Sequence, residues 1–347
     1  MLPLAAVRKL FPATAEHQQV EEEVDLLLRG ILDSRYIRTK REFPRPLRYA
    51  QRNFFSILFL AVYRALGIPR EHRLFYGTIN HCLRGIVTGT DNLLDDEYKE
   101  LLPLDFPERA TRFKSAMHLL LFDRILDAAV ERAAREGLVS RGKTRPLLQA
   151  VFQALVPIGA EEAREEAGIH KIISPAAVLS SVHMYKGGKL LGLSFVAPRF
   201  LDEERAAPLA LADQGIYAIG VALQMIDDLT DFYEDIRNRN HNYLISVIDC
   251  EGTPEEKTRL RTVLAASGKE GPPIEDGFAD SLGQVMEQAI GRALDGFDLL
   301  ARAGFPLERP AALSLIRALF RLRGVGHLLA FLPQEACFTP LPRDQHV

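Results

Sequence analysis

Gln224-Met225-Ile226-Asp227-Asp228-Leu229-Thr230-Asp231 sets three carboxylates at i, i+1 and i+4 inside an apolar, helix-forming stretch. Residues four apart lie one above the other on a helix, so Asp227 and Asp231 aim the same way. Asp228 lies about 100° round the axis. Like charges at this spacing destabilise a bare helix. Acids gathered beside a core face point to a hard cation, and oxygen-only ligands suit Mg²⁺. The plainer reading is a solvated acidic face.

A second cluster shifts the balance. Asp91-Asn92-Leu93-Leu94-Asp95-Asp96-Glu97 again pairs acids four apart, at Asp91 and Asp95. Each cluster follows an apolar helical run, Ile79 to Val87 and Ile216 to Ile226. Two acid clusters ending two apolar helices are expected to face one another across a cavity.

The helical period continues on both sides of these segments. Apolar spacing predicts helices at Val20 to Leu32, Leu47 to Leu66, His72 to about Lys99, Glu108 to Glu136 and Thr144 to Val156. Pro157 is expected to close the last of these, leaving Ala160 to Gly168 as a charged segment. Pro175 opens another helix, running towards Gly187 and Gly188, as a proline in the first turn can. Further helices are predicted at Pro208 to about Asn238, Pro254 to Ala266, Ala279 to Ala303 and Pro310 to Phe331. Residues 333–347 read as a loose tail. Strand alternation is nearly absent, and no internal repeat or low-complexity linker divides the chain. The expected fold is all-α: one single-domain helical bundle of roughly ten or more helices around a central cavity.

The 347 residues are 47% apolar, enough for a large core, and the net charge is −3. That charge makes no case for nucleic acid. Cys82, Cys250 and Cys337 are far apart with no CxxC, so neither a zinc site nor a disulfide framework is indicated. A reduced, cytoplasmic setting is expected. No uncharged apolar run reaches the roughly 18 residues of a membrane span. Met1 to Pro12 is too brief for a signal peptide. Peripheral membrane contact stays open.

The paired clusters resemble the aspartate-rich motifs of the class I isoprenoid synthases, whose motif is DDxxD, twice. The layout is closest to the trans-polyprenyl diphosphate synthases. The second copy, Asp227-Asp228-Leu229-Thr230-Asp231, is complete and preceded by Gln224; the first carries Asn92 in place of an aspartate. Between them, His183-Met184-Tyr185-Lys186-Gly187-Gly188-Lys189 looks like the family's lysine-bearing segment.

The resemblance implies an Mg²⁺-dependent enzyme that ionises an allylic prenyl diphosphate, with two or three ions and a homodimer as expectations. Asp91, Asp95, Asp96, Asp227, Asp228 and Asp231 would be the metal ligands. Asp96 would supply what Asn92, with its uncharged carbonyl oxygen, does not. Lys186 or Lys189 would contact the diphosphate, with Gln224 and the basic residues Arg45 and Arg48 also binding substrate. Ile86 and Val87, one turn before the first motif, would floor a pocket deep enough for a C15 or longer chain.

Some features depart from that pattern. No arginine pair follows the first cluster; the next arginines are Arg109 and Arg112. Use of isopentenyl diphosphate is therefore less strongly implied than ionisation of the allylic partner. Asp231-Phe232-Tyr233-Glu234-Asp235 also resembles a squalene or phytoene synthase motif, and Asp227, Asp231 and Asp235 match terpene cyclase spacing. Head-to-head coupling, cyclisation and a non-catalytic partner subunit are the alternatives. His81 reads equally as a site residue or a core-edge histidine. Gly85 and Gly89 each cost a helix about 1 kcal/mol, which points either to close packing or a kink or equally to ordinary structural tolerance.

Overall fold

The computed structural model describes residues 4–38, 46–94, 98–166, 168–266 and 271–331. Arg45, Asp95, Asp96 and the tail at 333–347 lie outside the described residues. Within them the chain is helical, and the only bridge of extended backbone joins Ile37 to Leu104. Twelve helices reach seven residues or more: α1 Leu4–Ile31, α2 Pro46–Arg52, α3 Phe54–Ala65, α4 Arg70–Leu94, α5 Thr111–Arg135, α6 Arg141–Glu166, α7 Ala206–Thr230, α8 Phe232–Asn238, α9 Tyr243–Glu251, α10 Pro254–Ala265, α11 Ala279–Ala303 and α12 Arg309–Leu322. The all-α expectation is met.

The chain forms two compact units. Val7–Phe152 and Leu193–Ala206 make the first; residues 4–6, Gln153–Gly192 and the described residues from Ala207 onward make the second.

In the first unit, α3 is apolar all round and eight of its twelve residues are buried, so it is a core helix. The predicted single helix from Leu47 to Leu66 is two, because the backbone bends out of helical geometry at Asn53 (φ −112°, ψ 23°). The Asn53 side chain does not cap α3; its Oδ1 accepts from Arg84 Nη1 at 2.7 Å. Helix α4 lies close on α5 because Gly85 has no side chain. A Cβ there would sit 2.2 Å from the Phe122 ring, which is fully buried. Gly85 is thus explained by close packing.

Prolines misled the helix boundaries. Helix α1 passes through Pro12 and starts well before Val20, and α6 runs through Pro157 to Glu166. A proline removes one hydrogen bond and disfavours the helix locally, but neighbouring turns can carry it onward. The charged segment after Pro157 is therefore helix.

In the second unit, α7 is the most apolar long helix and buries thirteen of its twenty-five residues. By length and composition alone, the stretch Glu203–Thr230 is apolar enough to cross a membrane, yet most of it is buried within the protein. The segment after Pro175 is one short α-turn followed by two wide π-turn stretches, Val178–Val182 and Met184–Lys189. The Gly187 backbone there touches α7. A Cβ on Gly187 would lie 2.4 Å from the Gly220 carbonyl, and one on Gly220 2.3 Å from the Gly187 carbonyl. Helix α9 was not foreseen. Its run Leu244-Ile245-Ser246-Val247-Ile248 is buried throughout and has no polar face to set a helical period.

Candidate active site

In the second unit, α7 ends at Thr230 and α8 begins at Phe232, with Asp231 at the junction. Asp231 N–H donates to the Asp227 carbonyl, and Asp235 N–H to the Asp231 carbonyl, so the acid row follows a nearly continuous helical track. The four carboxylates on that track have different surroundings.

Asp228 is turned inward and is 3% exposed. Its Oδ2 accepts the Tyr243 backbone N–H at 2.5 Å and lies 2.9 Å from His183 Nε2. Its Oδ1 accepts from Gln224 at 3.2 Å. Asn242 completes the join: its Nδ2 donates to the Asp228 carbonyl at 2.6 Å and to Asp235 at 2.8 Å, while its Oδ1 caps α9 by accepting from Ile245 N–H at 3.1 Å. Asp228 thus ties α7, α9 and the π-turn segment together.

Asp227 and Asp231 lie further out. Asp227 Oδ1 accepts from Arg323 Nη1, beyond the end of α12, at 2.8 Å. Thr230 Oγ1 is 2.9 Å from Asp231 Oδ1. Burial pushes the Asp227 carboxyl up to about 6; Arg323 opposes that rise, and Asp231 and Asp228 add to it. Burial likewise raises Asp231. Asp235 is raised by burial first and then by the Asp228 carboxylate. Partly desolvated like charges repel, and a bound cation would relieve them.

The donor set fits Mg²⁺ in one particular way. The second cluster does not bring three carboxylate oxygens within 4.8 Å of one another, so it is no closed cage. Mg²⁺ keeps several waters and is commonly held by one or two carboxylates together with substrate phosphate. Asp227 and Asp231 offer such an arm.

The lysine segment has an unforeseen partner. Lys186 Nζ lies 2.9 Å from Glu162 Oε2 and also pairs with Glu165, both on α6. Burial opposes the Lys186 charge, but Glu165 and Glu162 outweigh it and raise its pKa above the ordinary value. Lys189, three residues on, is exposed. Of the two lysines weighed from the sequence, Lys189 is the more open to a ligand.

In the first unit, Asp91, Ile86 and Val87 lie on α4 and are half-buried, and Arg48 on α2 is exposed. Asn92 is 2% exposed. It clamps the chain that follows: its Oδ1 accepts Lys99 N–H at 2.9 Å, and its Nδ2 donates to the Lys99 carbonyl at 3.1 Å. The Asn92 carbonyl oxygen is therefore committed to backbone. Only an amide can both donate and accept here. Asn92→Asp would repair the DDxxD pattern, yet it should destabilise the protein by about 2 kcal/mol, because it sets a buried carboxylate against a carbonyl. Urea unfolding checks this.

The sequence reading also missed a pair of arginines. Arg84 donates to Asn53 and, at 3.3 Å, to the Arg52 carbonyl, while Arg52 Nη2 donates to the Glu100 carbonyl at 2.9 Å. Burial first, and then the Arg52 charge, hold the Arg84 pKa below its ordinary value. The two guanidiniums are near enough for their charges to act on one another. Arg52 and Arg84 lie 32 positions apart, so nothing in the sequence marked them as neighbours.

No protein-family model matches the chain, and no curated protein matches it. Solved structures do. A polyprenyl synthase from Caulobacter crescentus, complexed with calcium and isoprenyl diphosphate, aligns with TM-score 0.59 at 14% identity over 92% of this chain and 97% of that one. Geranylgeranyl pyrophosphate synthetase from Pyrococcus horikoshii gives 0.57 at 15% identity, covering 92% and 98%. Decaprenyl diphosphate synthase from Rhodobacter capsulatus gives 0.57 at 13%, covering 91% and 97%. At such identities the likeness is one of fold, and the chain has the fold of these prenyl diphosphate synthases.

Proposed function

We propose that the protein is an Mg²⁺-dependent prenyltransferase that ionises an allylic prenyl diphosphate. The observation that carries this reading is the intact acid row at the end of α7, with two outward carboxylates, Asp227 and Asp231, braced by an inward one, Asp228. When bound, Mg²⁺ supplies positive charge to the departing pyrophosphate. Asp227 and Asp231 would hold the ion. Arg323 keeps Asp227 oriented until a cation takes its place. Lys189 adds charge to the leaving group.

A second reading is a non-catalytic partner subunit, favoured by the Lys186–Glu165 pairing and the Asn92 clamp. One experiment separates the readings. The protein is incubated with Mg²⁺ and C10, C15 or C20 allylic diphosphate, with and without isopentenyl diphosphate, and products are read by mass spectrometry. A diphosphate longer by five carbons supports the proposal. A coupled or cyclised hydrocarbon redirects it to head-to-head coupling or cyclisation, and no product from any substrate leaves the subunit reading.

A further inference from the structure

A second set of ligand-bearing side chains lies in the first unit, on α1 and α4. His17 and Glu21 are four apart on α1 and so share a face. His81 comes from α4. One ligand atom from each lies within 4.8 Å of the other two. We infer that His17, Glu21 and His81 form a site for a first-row transition metal of the zinc type, separate from the acid row.

Three observations support the assignment. The first is donor chemistry. Two imidazoles and one carboxylate suit Zn²⁺ and its neighbours, whereas Mg²⁺ prefers oxygen alone. The second is reach. Zn²⁺ holds such ligands tetrahedrally, with bonds of about 2.0–2.2 Å. Tetrahedral ligands of one ion stand roughly 3.3–3.6 Å apart, so atoms that lie within 4.8 Å of one another must close by up to about 1.4 Å, within reach of side-chain rotation.

The third is the tautomer. The Tyr49 hydroxyl has one proton and gives it to Glu21 Oε2 at 2.9 Å. Its oxygen is then an acceptor for His17 Nδ1–H at 2.6 Å. That leaves the lone pair of His17 on Nε2, the atom a metal would use. A hydroxyl that fixes both a ligating histidine and a ligating carboxylate is the support such sites require.

Burial agrees with the assignment. His17 is 1% and His81 3% exposed, with ring centroids 6.1 Å apart, so both imidazoles are already ordered. Glu21 is half-exposed, which gives an ion a way in. Its carboxylate also attracts Arg84, so an incoming metal must compete with that guanidinium. A metal held here would pin α1 to α4, the helix that carries Asp91.

The test uses the full chain, stripped with EDTA and kept in excess Mg²⁺ so that the acid row is satisfied. Zn²⁺ is added in a calorimeter, and Co²⁺ is added while its ligand-field absorption is recorded. One equivalent of Zn²⁺ and a Co²⁺ spectrum with nitrogen ligation are expected. His17→Gln and His81→Gln should each weaken binding at least about 100-fold, and Tyr49→Phe about 10- to 100-fold. Asp227→Asn should leave the Zn²⁺ affinity unchanged, which separates this site from the proposed prenyltransferase chemistry. Circular dichroism checks that each variant folds. If a histidine variant does not, Tyr49→Phe and the wild-type Co²⁺ spectrum decide. No Zn²⁺ heat and no Co²⁺ band in the wild type would overturn the inference. So would binding that survives both histidine changes and disappears in Asp227→Asn.

Discussion

Asp227→Asn is expected to lower Mg²⁺-dependent release of pyrophosphate on the order of 100- to 1,000-fold, the range seen when one preorganised electrostatic contact is lost. It should do so without unfolding the protein. The Asp227 carboxyl is held up to about 6 by burial, so its charge is not stabilising in the empty protein. Its contact with Arg323 is partly exposed, with the arginine 47% open, and such pairs contribute about 0–1 kcal/mol. The neighbouring residue gives the opposite pattern. Asp228→Asn would turn an amide towards the Tyr243 N–H and His183, and should cost about 2 kcal/mol of stability. Measuring rate and urea midpoint for both variants separates a metal-holding acid from a bracing one. Equal loss of stability in the two would contradict the division of labour.

Gly220→Ala should be the most damaging small substitution in the second unit. The new methyl would meet the Gly187 carbonyl at 2.3 Å, and what it meets is backbone. A flexible side chain could swing aside, but two helical segments must part. The cost should reach about 3–4 kcal/mol, at or above the upper end for overpacking. Gly187→Ala should behave alike, because its Cβ would meet the Gly220 carbonyl. Parting the segments would also move Lys186, Lys189 and the Asp228–His183 contact, so any surviving folded fraction should be slow. Gly291→Ala on α11 is the control: nothing lies within 4 Å of that position. There alanine should stabilise by up to about 1 kcal/mol. Thermal melts of the three variants settle the comparison.

The helical class was legible because the apolar period of 3.6 runs through most of the chain. Helix α11 was legible to the residue, since Ala279–Ala303 is strongly two-faced and ends at a glycine in left-handed geometry. Helix α9 was not, because a helix buried on every side has no polar stripe to reveal its period. The continuation of α6 past Pro157 was hidden because a proline that bends a helix and one that ends it look alike in sequence. The same continuation carries Glu162 and Glu165, so the fixing of Lys186 was hidden with it.

In the site, the acid row itself stood out as charge set inside an apolar run. Which of its members face inward did not. That depends on Asn242 and Tyr243 arriving from the start of α9, and on Arg323, 96 positions from Asp227. Asn92 shows the reverse error. A motif template read it as a weakened ligand, while its amide holds the backbone of Lys99.

The most direct test of the central claim is the release of pyrophosphate from a C15 allylic diphosphate by the purified protein, in Mg²⁺ and again in EDTA. Steady release in Mg²⁺, abolished by EDTA and reduced at least about 100-fold by Asp227→Asn, is the predicted result. A folded protein that releases no pyrophosphate from C10, C15 or C20 substrate in Mg²⁺ would contradict the account.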